Sequence, residues 1–544
     1  MPGPLQNNKT MKFLSVLILC LVVQQAYAAK VETGDPSLDP VFETLAGSNF
    51  AQKGNALKQL AATKHPKRFE LIEGVFDGSL RLHKKSKRLV WAEKQGRRYL
   101  ATDVFSGEPL GEFKKRKLKK FSINNKLRGV INSILAARDL DSDDPALRLQ
   151  SVETMLENPL PEHAEILAPR IDQEPDDKVA AAMRLVLALA NLGSDDPAER
   201  LKAISGVRDS LEPAVRQKLS QLAASDSDAE VKKAAAATLR KIEDRVELFG
   251  HIETLFFGLS LGSVLVLAAI GLAITFGVMG VINMAHGELI MLGAYTTYLI
   301  QQLMPESTGV SLLLSIPAAF VVSGLVGIGI ERGVIRFLYG RPLETLLATF
   351  GISLILQQLV RTLISPQNVP VSNPEFMSGF WEINSVLSLT YNRLYIILFC
   401  MLVFAGLFLI LKRTRLGLQV RAVSQNRSMA RAMGVHSSRV DALTFGLGSG
   451  IAGVAGVALS QLTNVGPNLG QAYIVDSFMV VVFGGVGNLW GTLIGGVGLG
   501  IANKFMEPWA GAVMAKILIL VIVILFIQKR PRGLFPQKGR AAEG

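Results

Sequence analysis

Gly277-Val278-Met279-Gly280-Val281-Ile282-Asn283-Met284-Ala285-His286-Gly287-Glu288 decides how this chain reads. Long apolar stretches flank it on both sides, so an amide, an imidazole and a carboxylate fall at membrane depth. Each such group is costly against lipid and must face protein or water. The glycines interrupt the helical pattern, and unwound backbone is tolerated within a membrane only where it is buried or lines a cavity. A transport passage is the expected result, with Asn283, His286 and Glu288 as candidate pathway or gating groups. The competing reading is structural: the three side chains satisfy backbone freed by the break.

Working outward, nine apolar segments approach the length needed to cross a hydrocarbon core, at about 254–279, 287–303, 310–330, 343–363, 393–411, 441–462, 473–486, 491–506 and 511–528. Eight crossings are the alternative; the short segments around Gly484 and Gly496 form one re-entrant hairpin only if another crossing has been miscounted. Arginine and lysine collect at Arg332, Arg336 and Arg341, between Lys412 and Arg439, and from Lys529 to Arg540, whereas 364–390 and 463–472 contain neither. Positive loops stay in the cytoplasm, so these three regions are expected inside and the C-terminus with them. The expected fold is mainly α: a polytopic helical membrane domain over 251–535, preceded by an exported domain of helical repeats.

The other half of the 544 residues is unlike this one. The overall 49% hydrophobic content and formal charge of +13 average an apolar half with one rich in Lys, Arg, Asp and Glu, which argues for two domains. At the start, Lys9 and Lys12 precede the apolar run Phe13 to Val23 and the small-x-small site Ala26-Tyr27-Ala28, the pattern of a secretory signal peptide over residues 1–28. Residues 29–250 are therefore expected on the periplasmic side of a bacterial inner membrane.

Within that exported part, residues 29–129 read as a mixed region with a small β-hairpin element, punctuated by Asp77-Gly78 and Gly96-Arg97. From 130 to 250 the pattern is helical and repeats. Asp143-Asp144-Pro145-Ala146-Leu147-Arg148-Leu149 returns as Asp195-Asp196-Pro197-Ala198-Glu199-Arg200-Leu201, and Asp177 to Ala182 returns as Asp228 to Lys233. Two interleaved helices at one long period suggest paired, HEAT-like hairpins. The basic run Lys114 to Lys120 lacks aromatic interleaving and reads as a solvated or headgroup-facing surface, with no nucleic acid partner. Cys20 and Cys400 are the sole cysteines, and His65, His83 and His163 lack ligand spacing, so neither a disulfide framework nor a metal site is expected. No cofactor is indicated.

Two further stretches carry function. The loop Arg415-Leu416-Gly417-Leu418-Gln419-Val420-Arg421-Ala422, continuing through Ser428-Met429-Ala430-Arg431-Ala432-Met433-Gly434, reads as a short helix capped by Gly434 and suited to seat in a groove on a partner. Val482-Phe483-Gly484-Gly485-Val486-Gly487-Asn488-Leu489-Trp490-Gly491 is a second glycine-rich break, whose Asn488 carries the same ambiguity between pathway and structure. Lys504 and Lys516 are expected to snorkel or pair.

Taken with the opening motif, these stretches resemble the permeases of branched-chain amino acid ABC importers across most of residues 250–535. That resemblance implies a second permease subunit, two cytoplasmic ABC ATPase subunits and an exported solute-binding protein as partners. It also implies ATPase coupling through the 415–435 helix, with Arg415, Gly417, Arg421, Ala430, Arg431 and Gly434 as the candidate contacts. Ser428-Met429-Ala430 stand where the family's coupling signature has Glu-Ala-Ala, so the acidic contact does not carry over. The exported domain ahead of the permease is similar in layout to the family's urea permease branch, which implies urea as the solute and a branched-chain amino acid as the alternative. The chain itself is expected to be no enzyme: it contains no Gly-x-x-x-x-Gly-Lys-Ser/Thr phosphate loop. An ion-coupled carrier or channel remains the rival class.

Overall fold

An aspartate placed before a helix accepts the first free amide hydrogens, and a proline in the first turn loses no hydrogen bond there. The computed structural model, which describes residues 35–96, 98–157, 159 and 161–535, shows both devices repeating. The expected signal segment lies outside the described residues. The chain divides into two units at Glu243/Asp244, seven residues before the boundary expected from composition.

The first unit opens with helices α1 (Asp39–Ala46), α2 (Phe50–Ala62) and α3 (Arg68–Asp77). They bury Phe42, Leu57, Leu71 and Ile72 together with Leu80 and Phe121. The expected hairpin is the centre of a larger element. Strands β1 (Leu80–His83), β2 (Leu89–Gln95), β3 (Arg98–Asp103), β4 (Pro109–Phe113) and β5 (Leu118–Lys120) form one antiparallel sheet in the order β4-β3-β2-β1-β5. The basic run supplies the edge strand β5: Leu118 is buried while Lys119 and Lys120 are exposed. Lysines on an edge discourage further strand pairing, and they also masked this strand in the sequence.

Helix α4 (Asn125–Asp139) leads into α5 (Pro145–Glu157), α6 (Pro161–Ile171) and α7 (Asp177–Asn191), then α8 (Pro197–Gly206), α9 (Pro213–Ser225) and α10 (Ala229–Met279). The starts at 145, 161 and 177 recur at 197, 213 and 229, a step of 52 residues each time. The repeat therefore holds three helices, not the expected two. The middle helix was missed because its first turn lacks the aspartate cap that marks the other two. Asp176, not Asp177, corresponds to Asp228: each accepts from amides two and three residues on, at 2.9 and 3.1 Å for Asp176 and 2.8 and 3.1 Å for Asp228.

A buried ion pair recurs with the helices. Arg148 forks onto Glu174 at 3.0 and 2.7 Å and donates to the Ser142 carbonyl at 2.7 Å. One repeat later Arg200 meets Asp226 at 2.9 Å and the Ser194 carbonyl at 2.8 Å. Hydrogen bonding from Arg148 holds the Glu174 carboxyl below its usual 4.5, and the Asp228 amide, with Arg200, holds Asp226 below 3.8. Depressed acids contribute stability above their unfolded values and lose it as pH falls through the folded ones. Hydrogen-exchange protection across residues 145–225, taken relative to the intrinsic exchange rate at each pH, is thus expected to fall as pH drops below 4.5. Arg148→Ala should weaken protection at neutral pH and flatten that acid dependence; an unchanged profile would contradict the assignment.

In the second unit each of the nine expected apolar segments falls on a helix. They are the C-terminal part of α10, then α11 (His286–Leu303), α12 (Thr308–Gly333), α13 (Pro342–Leu363), α14 (Tyr391–Arg413), α17 (Ser437–Ser460), α18 (Leu469–Gly484), α19 (Leu489–Ala510) and α20 (Ala512–Lys529). Two short helices, α15 (Arg415–Gln425) and α16 (Arg427–Ala432), precede α17. Among the described residues six helices, α10, α12, α13, α14, α17 and α20, are long and apolar enough to cross a membrane. The other three are shorter or diluted by polar residues and glycine.

Helix α17 is central: its apolar window is 89% buried against 17% for α20. Small residues allow this, because helices in lipid associate through close backbone packing. Gly448 lies against Gly271 of α10, Gly456 against Ile290 of α11, and Gly450 and Gly453 against Phe320 and Ala319 of α12. The loops sort by end as their charge suggested. Val369 and Val465 form an antiparallel bridge between the two regions that lack Lys and Arg. Ser372 exchanges hydrogen bonds with Gln301 at 2.8 and 2.9 Å. At the opposite end of α13, the arginine-rich regions meet, with Arg427 stacked 3.9 Å from the Tyr339 ring centre.

Candidate functional site

Helix α10 ends at Met279 because Gly280 takes φ +68°, a left-handed value that side chains with a Cβ rarely adopt. The chain runs unwound to His286 and then enters α11. Asn283, His286 and Glu288 all lie on this break or in the first turn after it and are no more than 1% exposed. Asn283 Oδ1 accepts from the Ala285 amide at 3.0 Å, turning the chain into the new helix. His286 Nε2 donates to the Ala268 carbonyl at 2.8 Å, tying the start of α11 back to α10. Glu288 Oε1 accepts from Gln357 Nε2 at 2.7 Å and from the Ser353 hydroxyl at 3.1 Å.

Each of the three keeps a second polar atom buried without a protein partner: Asn283 Nδ2, His286 Nδ1 and Glu288 Oε2. Buried polar atoms are usually paired, so three orphans on one broken segment mark it out. Both readings of these residues therefore have support: one atom of each side chain holds the break together, and another is left over.

The partner wall was missed in the sequence. Thr345, Thr349, Ser353 and Gln357 stand four residues apart along α13, all buried. Such spacing places them on one face of a helix. Thr349 accepts from the Met284 amide at 3.1 Å and so receives the unwound backbone. Four polar residues at helical spacing inside an apolar span were the available signal.

Asn488 is placed differently. It caps α19, its Oδ1 accepting from the Trp490 and Gly491 amides at 3.0 and 3.2 Å, while Nδ2 donates to the Phe535 carbonyl at 3.3 Å. Its oxygen and one hydrogen of its amide nitrogen are engaged in holding these ends. Asn488→Ala is expected to cost about 1 kcal/mol, the usual loss for a removed cap. A lower melting temperature in detergent, with unchanged transport per folded molecule, is the outcome that fits; lost transport at unchanged stability would restore it to the pathway.

The expected single helix over 415–435 is two. Asn426 breaks it by accepting from the Met429 amide at 3.0 Å, which starts α16 afresh. Thr414 caps α15 through the Gly417 amide at 3.2 Å. Gly417 sits on Leu411, whose carbonyl Arg421 also reaches, and Arg415 is exposed. Ala430 is buried among Val420, Val423 and Val440. Arg431 donates to Ser437 at 2.7 Å, and Gly434, at φ +86°, closes α16. Leu418, Met429 and Met433 remain exposed at 62%, 60% and 78%. Lys516 pairs with Asp476 at 3.2 Å and Lys504 with Glu507 at 2.5 Å. Among the described residues, no group of three or more His, Cys, Asp or Glu is placed to hold a metal ion.

The family described as branched-chain amino acid transport system / permease component matches residues 254–527. The high-affinity branched-chain amino acid transport system permease protein BraD of Pseudomonas aeruginosa is 31% identical over 297 residues, 53% of this chain and 96% of that protein. LivH of Escherichia coli K12, a permease protein of the same kind of system, is 31% identical over 293 residues, 52% of this chain and 94% of LivH. The ribose import permease RbsC of Escherichia coli K12 is more distant, 26% identical over 287 residues, 51% of this chain and 85% of RbsC. No solved structure matches. A helical membrane unit with a polar break between its first two helices, matched over nearly the full length of two such permeases, places the chain in the family of branched-chain amino acid transport permeases.

Proposed function

We propose that this chain is one of two membrane subunits of an ATP-driven importer of branched-chain amino acids, with solute passing the broken segment at Asn283, His286 and Glu288. The observation that carries this reading is the chemistry of the orphan atoms. Glu288 Oε2 is an acceptor suited to an ammonium group, and Asn283 Nδ2 is a donor suited to a carboxylate. An amino acid presents both, and apolar helix faces close by can receive its side chain. Urea needs no ionisable partner, and the relatives named above transport branched-chain amino acids or ribose. The urea reading, which rested on domain layout, therefore gives way to its alternative.

In this reading the nine apolar helices of the second unit cross the membrane, the arginine-rich end faces the cytoplasm and the first unit lies on the periplasmic side. Two ATPase subunits dock on α15 and α16, where exposed Leu418, Met429 and Met433 offer an apolar surface beside arginines. A second permease and an exported binding protein complete the assembly. Opening is then driven by ATPase closure acting on one end of the bundle.

The test is uptake of labelled leucine, isoleucine, valine and urea by cells in which this gene is deleted and then restored. Loss and recovery of amino acid uptake alone is the expected result. Loss confined to urea would overturn the substrate assignment, and no change in any solute would overturn the transport reading.

A further inference from the structure

Both cytoplasmic-end helices pack on α17, Val420 and Val423 of α15 and Ala430 of α16 clustering with its Val440, but their polar ties differ. Helix α15 is fastened to α14: Gly417 rests on Leu411, and Arg421 donates to the Leu411 carbonyl. Helix α16 has its polar tie to the inner bundle. Its first residue, Arg427, forms an ion pair with Asp441 in the first turns of α17 and stacks over Tyr339, in the connection following α12.

The surroundings make this more than a surface pair. Asp441 and Glu331, near the end of α12, are 5% and 3% exposed. Glu331 lies within electrostatic reach of Asp441, Arg332, Arg336 and Arg427. Two buried carboxylates thus share a small set of cations, of which Arg427, and towards Asp441 also Arg431, come from the docking helices. Asp441 Oδ1 and Arg427 Nε are buried without a partner, so the pair is joined through one nitrogen and one oxygen only. A guanidinium can fork onto a carboxylate with two bonds, so a second geometry of this pair is chemically available.

What Asp441 leads to is the central helix. Along α17, Gly448 lies on Gly271, Gly453 on Ala319, and Gly456 on Ile290. Those contacts reach α10, α12 and α11 in turn, and α10 and α11 are the two helices that flank the broken segment. Packed interiors transmit displacement because they have no slack to absorb it.

Resting on the ATP-driven reading above, we infer that Arg427, Asp441 and Tyr339 form the linkage through which movement of α16 is delivered to α17 and so to the broken segment. Arg427 and Asp441 are positioning residues; neither touches solute.

The experiment uses the full complex with its ATPase subunits, reconstituted in vesicles, with ATP hydrolysis and leucine uptake measured on the same sample. In Arg427→Ala and Asp441→Asn the complex is expected to assemble and hydrolyse ATP, while leucine carried per ATP falls about tenfold or more, within the usual range of coupling between sites. The exchange Arg427→Asp with Asp441→Arg is expected to recover part of the ratio, and Tyr339→Leu to lower it less than either charge change. An unaltered ratio in both single variants would overturn the inference. So would loss of assembly in both single variants and the exchanged pair, which would make the contact merely structural. Failure of the underlying reading looks different: wild-type complex would then show no ATP-dependent uptake at all.

Discussion

Replacing Gly293 by valine is expected to leave no stably folded permease in the membrane. A Cβ built on Gly293 lands on the backbone of Gly453, carbonyl oxygen first, and the neighbouring contact of Gly456 with the Ile290 carbonyl is equally close. Helices α11 and α17 thus touch backbone to backbone, with α12 completing the trio through Gly453 and Ala319. Overpacking a core costs about 1–3 kcal/mol when side chains can adjust, and more when they cannot. Here the obstacle is backbone on a helix that is itself buried, so both helices would have to part and their remaining contacts would loosen together. That is a large share of the roughly 5–15 kcal/mol by which folded proteins are stable. Gly406→Val on α14 is the control, since a Cβ there meets nothing within 4 Å. Detergent-solubilised yield and melting temperature should collapse for Gly293→Val and hold for Gly406→Val. Equal behaviour of the two would show that the α11–α17 packing is not as close as described.

Glu288 should separate structure from transport more sharply than any other residue. Its Oε1 is held by Gln357 and Ser353, and its Oε2 is buried without a partner. Glu288→Leu removes the acceptor for two buried donors, and a stranded donor costs about 1–3 kcal/mol. Lower stability is therefore expected, together with lost uptake. Glu288→Gln keeps the shape and an oxygen for the same donors, so the protein should fold with near-normal melting temperature. It lacks the ionisable acceptor proposed to meet the solute's ammonium group, and leucine uptake is expected to fall by about tenfold or more, as for loss of one charged contact. Normal uptake by the Gln variant would make Glu288 a structural residue only.

Much of the membrane unit was legible because its signals are local and physical. Apolar length marked the nine helical segments, glycine and polar residues marked the break at 280–286, and arginine placement sorted the loops into two ends. What escaped was pairing between distant elements. Thr349, Ser353 and Gln357 reveal their role only once α13 is laid against the residues 65 to 69 positions earlier that they contact. The Arg427–Asp441 pair was hidden in the same way, because many arginines in a cytoplasmic loop are explained by topology alone. The sequence pattern does not mark Asn426 as a break, since helix-capping and mid-helix asparagine look alike until the chain is seen to turn. In the first unit the aspartate caps made two of the three repeat helices visible, whereas α6 and the lysine-rich strand β5 carried no comparable mark.

The most direct measurement is leucine accumulation by vesicles holding this chain with its partner permease and ATPases, supplied or not supplied with ATP on the side bearing α15 and α16. Accumulation that requires ATP and disappears without the ATPase subunits is the expected result. Leucine accumulation that persists in their absence, driven by an ion gradient alone, would contradict the assignment of this chain as an ATP-driven permease.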